Sequence, residues 1–154
     1  ESELDAIKAE LAAGGYIKNI RARKQKPEKL KPKRYRSSDG FLILVGRNNV
    51  QNDELTLRTA KGNDMWLHTQ KIPGSHTVVL NEGREISNQA LEQAAVIAAY
   101  NSRAQDSAQV PVDYTLIRNV KKPNGAKPGM VIYETYQTAY VTPDRGLVES
   151  LEEK

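Results

Sequence analysis

Asp64, Trp66 and His68 alternate along Asp64-Met65-Trp66-Leu67-His68. A strand there would set all three on one face, with Met65, Leu67 and Thr69 on the other. They include the chain's only tryptophan and one of its two histidines. Pro73-Gly74-Ser75 then gives a type II turn signal that brings the second histidine, His76, back toward them. Four chemistries fit these residue types. In a structural one, Asp64 accepts a hydrogen bond from His68 or caps a turn, and Trp66 is core. In a ligand face, Trp66 stacks on a base while His68, Ser75 and His76 donate to phosphate or sugar. A metal site would draw on Asp64, His68 and His76, although their spacing matches no standard motif. A Ser75–His–Asp64 triad would want a nucleophile elbow or an oxyanion-forming glycine motif, and the sequence has neither.

Two further groups carry chemistry. Arg47-Asn48-Asn49 lies between two expected strands. Asn suits a tight left-handed connection, but Arg47 could equally hold a phosphate, with the amides of Asn48 and Asn49 on bases or sugars. Lys121-Lys122-Pro123-Asn124-Gly125-Ala126-Lys127-Pro128-Gly129 is a basic loop. Gly and Pro account for the turn, and solvation accounts for some of the charge. Lys121, Lys122 and Lys127 with no acid among them, and Arg118 just before, also suit phosphate. Gly125 and Gly129 fit neither a P-loop nor a dinucleotide fingerprint, and no cofactor is expected.

Charge is concentrated. Lys18–Arg36 holds ten Lys or Arg against Glu28 alone, a net +9 in a chain that totals +4, so the remainder sums to −5. Such a block would bind a polyanion through phosphate contacts and counterion release. The absence of cysteine excludes disulfides, thiol nucleophiles and cysteine-based zinc sites. Apolar runs are short, Phe41–Val45 among the longest, and none approaches the ~20 residues needed to cross a bilayer. No membrane insertion is expected. The first residue is not Met and no signal pattern opens the chain, which reads as a piece of a longer protein.

The elements that must position these residues follow from periodicity. Leu4, Ile7 and Leu11 make residues 1–17 the end of an upstream helix or coiled coil, stopped by Gly14-Gly15. Residues 18–38 read as a mobile basic linker, residues 39–143 as the folded body, and residues 144–154 as an acidic tail. Ser37-Ser38-Asp39-Gly40 is a turn signal. Strands are expected at Phe41–Val45, Glu54–Thr59, Asp64–Thr69, His76–Leu80, Val112–Asn119 and Met130–Glu134, with Gln137–Val141 completing a hairpin. Ser87 should cap a helix reaching about Arg103, with Leu91, Ala94, Ala95 and Ala98 on one face. The fold class is α+β, a mixed, mainly antiparallel sheet packed on one main helix, with a short N-terminal helix.

Gly46-Arg47-Asn48-Asn49 with Gln51-Asn52-Asp53-Glu54-Leu55-Thr56, then Asp64, Trp66, His68 and Pro73-Gly74-Ser75-His76, resembles the C-terminal RNA-binding domain of the NFACT family. Val120-Lys121-Lys122-Pro123, Gly125-Ala126-Lys127-Pro128-Gly129, Tyr133 and Tyr140-Val141 continue the resemblance, which spans about Ser37 to Pro143. It implies a cytoplasmic, ribosome-associated quality-control factor that meets large-subunit RNA and tRNA during alanine tailing. It implies a module that binds RNA without catalysis of its own, the tRNA-reading residues lying mainly in the family's N-terminal part. Some members are also described as fibronectin- or fibrinogen-binding surface proteins, which makes an adhesin the alternative. A hydrolase or metalloenzyme, resting on Asp64, His68, Ser75 and His76, is the remote one.

Overall fold

The computed structural model describes residues 30–153 of the chain. Its frame is one seven-stranded sheet. In chain order the strands are β1 (Lys33–Arg36), β2 (Leu42–Val45), β3 (Met65–Thr69), β4 (Thr77–Leu80), β5 (Val110–Leu116), β8 (Gln137–Val141) and β9 (Glu152–Glu153). In space they lie β8-β5-β3-β4-β2-β1-β9, and every neighbouring pair is antiparallel. A separate antiparallel pair, β6 (Val120–Lys121) and β7 (Ile132–Tyr133), carries the basic loop between its strands. Three helices complete the described residues: α1 (Asn49–Glu54), α2 (Asn88–Tyr100) and α3 (Arg145–Leu151). This is the α+β class expected.

Period-2 alternation divides the strands between two cores. Ile43, Val45, Leu67, Val79, Val110 and Val112 face α2. That helix presents Ala90, Ala94, Ala95 and Ala98, whose small side chains let it lie close on the sheet. Its N-terminus is where Ser87 predicts it: the Ser87 side chain accepts from the Ala90 N–H (3.0 Å). Ser87 in turn donates to Asp39, which ties the helix start to the Ser37–Gly40 turn. On the opposite face Leu42, Leu44, Trp66 and Val78 pack with Leu55, Ala60, Ile117 and Val120 from α1's extension and the β6 edge.

Four sequence expectations need correction. Glu54–Thr59 is not a strand, because Asn48 caps α1 and the helix runs on through one π-helical turn, Leu55–Thr59, closed by Ala60 N–H to Leu55 O (2.9 Å). This buries Leu55, Thr56 and Ala60 and leaves Leu57 exposed, where alternation would pair Leu57 with Leu55. β7 and β8 form no hairpin: β7 pairs back with β6, and β8 joins the main sheet beside β5. The basic linker over 18–38 ends earlier than expected, since Lys33–Arg36 is β1 and its Tyr35 is buried. The acidic tail is structured as well. Asp144 caps α3, Val148 is buried, and Glu153 accepts from Arg36 Nε (2.7 Å) where β9 pairs with β1. The expected helix over 1–17 and the linker through residue 29 lie outside the described residues.

Candidate nucleic-acid interface

Trp66 sits at the centre of a buried polar relay. It is 1 % exposed, and its Nε1–H donates to the Thr56 hydroxyl oxygen (3.0 Å). The same hydroxyl lies 2.7 Å from His76 Nδ1, and His76 Nε2 lies 3.0 Å from the Gly129 carbonyl. A carbonyl only accepts, so His76 carries its proton on Nε2 and accepts a hydrogen bond from the Thr56 O–H at Nδ1. One chain of bonds thus runs from Trp66 through Thr56 and His76 to the basic loop. Burial, with His68 second, pushes His76 down to about 4, so its ring is neutral at physiological pH.

The residues around α1 extend this relay. Asn48 caps the helix by accepting from Gln51 N–H (2.8 Å), and Gln51 accepts from Arg47 N–H (2.8 Å). Asn52 Oδ1 accepts from His76 N–H (3.1 Å). A Cβ on Gly46 would stand 2.0 Å from that same oxygen, so only glycine fits there. Asp53 accepts from Gly129 N–H (2.9 Å) and pairs with Lys122 Nζ (3.3 Å). Lys122 also donates to the carbonyls of Lys127 (2.6 Å) and Met130 (3.2 Å). Gly129 has φ +86°, and a Cβ there would meet Asn49 Oδ1 at 2.8 Å. Asn49, Asn52, Asp53 and Thr56, on successive turns of one short helix, therefore latch the loop between β6 and β7 onto the sheet.

Asp64 lies just before β3 and His68 within it, and no hydrogen bond joins their side chains. Asp64 is buried, and its carboxylate accepts from Lys61 N–H (2.8 Å) and Asn81 N–H (2.9 Å), holding two turns. His68 stacks on Trp66, with ring centroids 5.8 Å apart and planes 7° apart. Its Nδ1 faces the Thr69 carbonyl (2.7 Å) and its Nε2 the Gly74 carbonyl (3.2 Å). Only the doubly protonated ring donates to both, yet burial pushes the group below its ordinary value. Burial is the larger effect, so the neutral ring keeps the shorter bond to Thr69. Ser75 is half-buried and its N–H donates to the Asn101 carbonyl (3.2 Å). Asp64, His68 and His76 thus all aim their polar atoms at protein partners. Among the described residues no group of three or more His, Cys, Asp or Glu is arranged to hold a metal.

The exposed cations surround this latch. Arg47 precedes α1, Arg118 lies on the short 3-10 turn before β6 and donates to Asn63, and Lys121 and Lys127 lie on the β6–β7 unit. Of the twelve residues that the sequence nominates, these four present charge to solvent. Asp64, Trp66 and His76 are buried, the half-buried Lys122 is taken up by Asp53 and two carbonyls, the exposed Asn48 caps α1, Asn49 lies against Gly129, and His68 and Ser75 are half-buried. Sequence reasoning missed Thr56 and Asp53, which join tryptophan, histidine and loop. A readable signal existed in the i, i+3, i+4 spacing of polar residues from Asn49 through Asp53.

Comparison with known proteins places residues 31–135 in the NFACT protein RNA binding domain family. The chain is 49% identical over 152 residues to "Rqc2 homolog RqcH" of Bacillus subtilis, covering 97% of this chain and 26% of that protein. It is 42% identical over 151 residues to "Rqc2 homolog RqcH" of Streptococcus suis, covering 97% and 27%. The solved C-terminal part of the fibronectin/fibrinogen-binding protein from Streptococcus suis superposes with a TM-score of 0.79 at 40% identity, over 88% of this chain and 54% of that one. The chain spans about a quarter of the length of these curated relatives.

Proposed function

The chain belongs to the NFACT RNA-binding domain family, and from that premise we propose that it is the RNA-binding module of a ribosome quality-control factor. Its partners are RNA of the large ribosomal subunit and tRNA, and its setting is the cytoplasm. Relatives named as Rqc2 homologues over nearly the whole chain support this reading. So does the separation of roles within the site. Asp53, Asp64, Thr56, Trp66, His76 and Lys122 form a hydrogen-bonded scaffold, and Arg47, Arg118, Lys121 and Lys127 are exposed. The observation that carries the proposal is the Asp53–Gly129–Lys122 latch, in which one half-buried carboxylate holds both the backbone and a lysine of the basic loop. Such a clamp suits a phosphate-contacting loop, because a fixed loop loses less entropy on binding.

The module acts by contact, with positioning of RNA as its contribution and alanine tailing a property of the longer protein that carries it. Co-sedimentation of the full-length protein with large ribosomal subunits, with and without these 154 residues, tests this. Loss of sedimentation on deletion is the expected result, and unchanged sedimentation contradicts it. The fibronectin/fibrinogen-binding name of the structural relative favours a second reading, contact with those host proteins. If that contact is charge attraction, heparin competes it away; binding that survives heparin marks a specific protein interface.

A further inference from the structure

β8 is an outer strand of the main sheet, bonded to β5 on one side only. Its side chains alternate. Ala139 and Val141 pack toward the α2 core, while Thr138 turns to the other face, where its hydroxyl donates to Asp113 Oδ1 (2.8 Å). Tyr140 shares that face by the two-residue period and is 64 % exposed. Tyr136, just before the strand, is held on the same side by edge-on contact with Tyr133, ring centroids 5.2 Å apart at 83°. It is 45 % exposed. The Tyr133 ring lies 4.9 Å from Trp66, and its hydroxyl donates to Asp113 Oδ2 (2.6 Å). Rings therefore pass in sequence from the core, at Trp66, through Tyr133, to the surface at Tyr136.

We propose that Tyr136 and Tyr140 form a stacking platform for two unpaired bases of single-stranded RNA. The proposal rests on the RNA-binding reading above and names the form of RNA this face takes. Tyr140 is four positions along the chain from Tyr136, about 13 Å of extended backbone, so each ring takes its own base. Sheet-surface aromatics are suited to this, since every base has a π-face and a duplex keeps its faces hidden. Charge agrees. Between residues 114 and 142 Glu134 is the only acid, against Arg118, Lys121, Lys122 and Lys127. The carboxylate beneath the platform, Asp113, is buried and taken up by Tyr133, Thr138 and the Gln70 amide (3.0 Å). Val120 is in register with Tyr133, so the exposed Arg118 and Lys121 belong to the β6 segment that pairs with the strand leading to Tyr136, and they supply cations for the phosphates of a strand on the rings.

The test is fluorescence anisotropy with this chain and two probes, an oligoadenylate and a fully paired RNA duplex of equal length, at one salt concentration. The double variant Tyr136→Ala/Tyr140→Ala loses about tenfold or more in affinity for the oligoadenylate and keeps its affinity for the duplex. The double Tyr→Phe variant keeps both, because the ring and not the hydroxyl does the stacking. Tyr140→Ala alone, at the more exposed of the two positions, melts with the parent and shows part of the loss. Undiminished oligoadenylate binding by the Ala variants, or equal loss on both probes, overturns the platform and leaves the RNA-binding reading standing. A parent chain that binds neither probe overturns that reading, and the platform with it.

Discussion

Replacing Thr56 by Val removes one hydroxyl and nearly nothing else, yet that hydroxyl is the joint between Trp66 Nε1–H and His76 Nδ1. Thr56 is buried, so water cannot take over either bond. His76 cannot adapt by changing tautomer, because its Nε2 proton is held by Gly129 O. The substitution leaves one buried donor and one buried acceptor unpaired, each worth about 1–3 kcal/mol. A loss of about 2–4 kcal/mol is expected, which lowers Tm by on the order of 10 °C for a domain of this size. Urea titration of Thr56→Val, Trp66→Phe and the double variant measures it. Trp66→Phe removes the indole donor, so the pair should couple, and the double variant should cost less than the two single losses added together. Thr56→Val within ~0.5 kcal/mol of the parent, or strict additivity, refutes the relay.

Three further outcomes follow from the same contacts. Trp66→Ala should destabilise the domain by ~3–5 kcal/mol in urea titration, because the ring is core and not a base platform; a stable variant with weakened RNA binding would reverse that assignment. Asp53→Ala releases both Gly129 and Lys122, so amide hydrogen exchange across residues 121–131 should quicken while α2 stays protected; uniform exchange would show that Asp53 does not hold the loop. His76, depressed to about 4 in the folded state against an ordinary value near 6.5, binds fewer protons folded than unfolded, so its stabilising contribution is complete above about pH 6.5 and is lost as pH falls toward 4. Burial shifts His68 in the same direction. Urea midpoints should therefore fall between pH 7 and pH 4.5, and a flat profile would contradict the burial of His76.

The main sheet was legible because its central strands bury both faces or alternate cleanly, as at Leu42–Val45 and Met65–Thr69, and because Ser87 is a strong helix cap. Asn48 is an equally good cap, but its helix is short and ends in a π turn, so Leu55 and Leu57 imitate strand alternation. β1 and β9 escaped notice for a different reason. Each is short and charged: β1 shows only Tyr35 as a buried residue and takes its place by pairing with β2, and β9 forms by pairing with β1 across more than a hundred residues of chain, a contact that no local window contains. α3 was readable in principle, since Asp144 followed by Leu147, Val148 and Leu151 is a capped apolar stripe beneath the tail's acidity. At the site, Trp66 and His68 stack on one face of β3 as the alternation expects, while Asp64 precedes the strand. The burial of that face was not legible, because the cover comes from β6–β7 and from a helix that alternation had turned into a strand.

The central claim is that an internal polar scaffold holds outward-facing cations against RNA phosphates. It is tested most directly by measuring affinity for a structured RNA across a salt series, for the parent and for Arg47→Ser/Arg118→Ser/Lys121→Ser/Lys127→Ser. If these four side chains contact phosphates, the variant melts with the parent, binds at least tenfold more weakly at low salt, and its slope of log affinity against log salt is shallower by about 3. Equal affinity and equal slope for the two proteins, with the fold intact, would contradict the account.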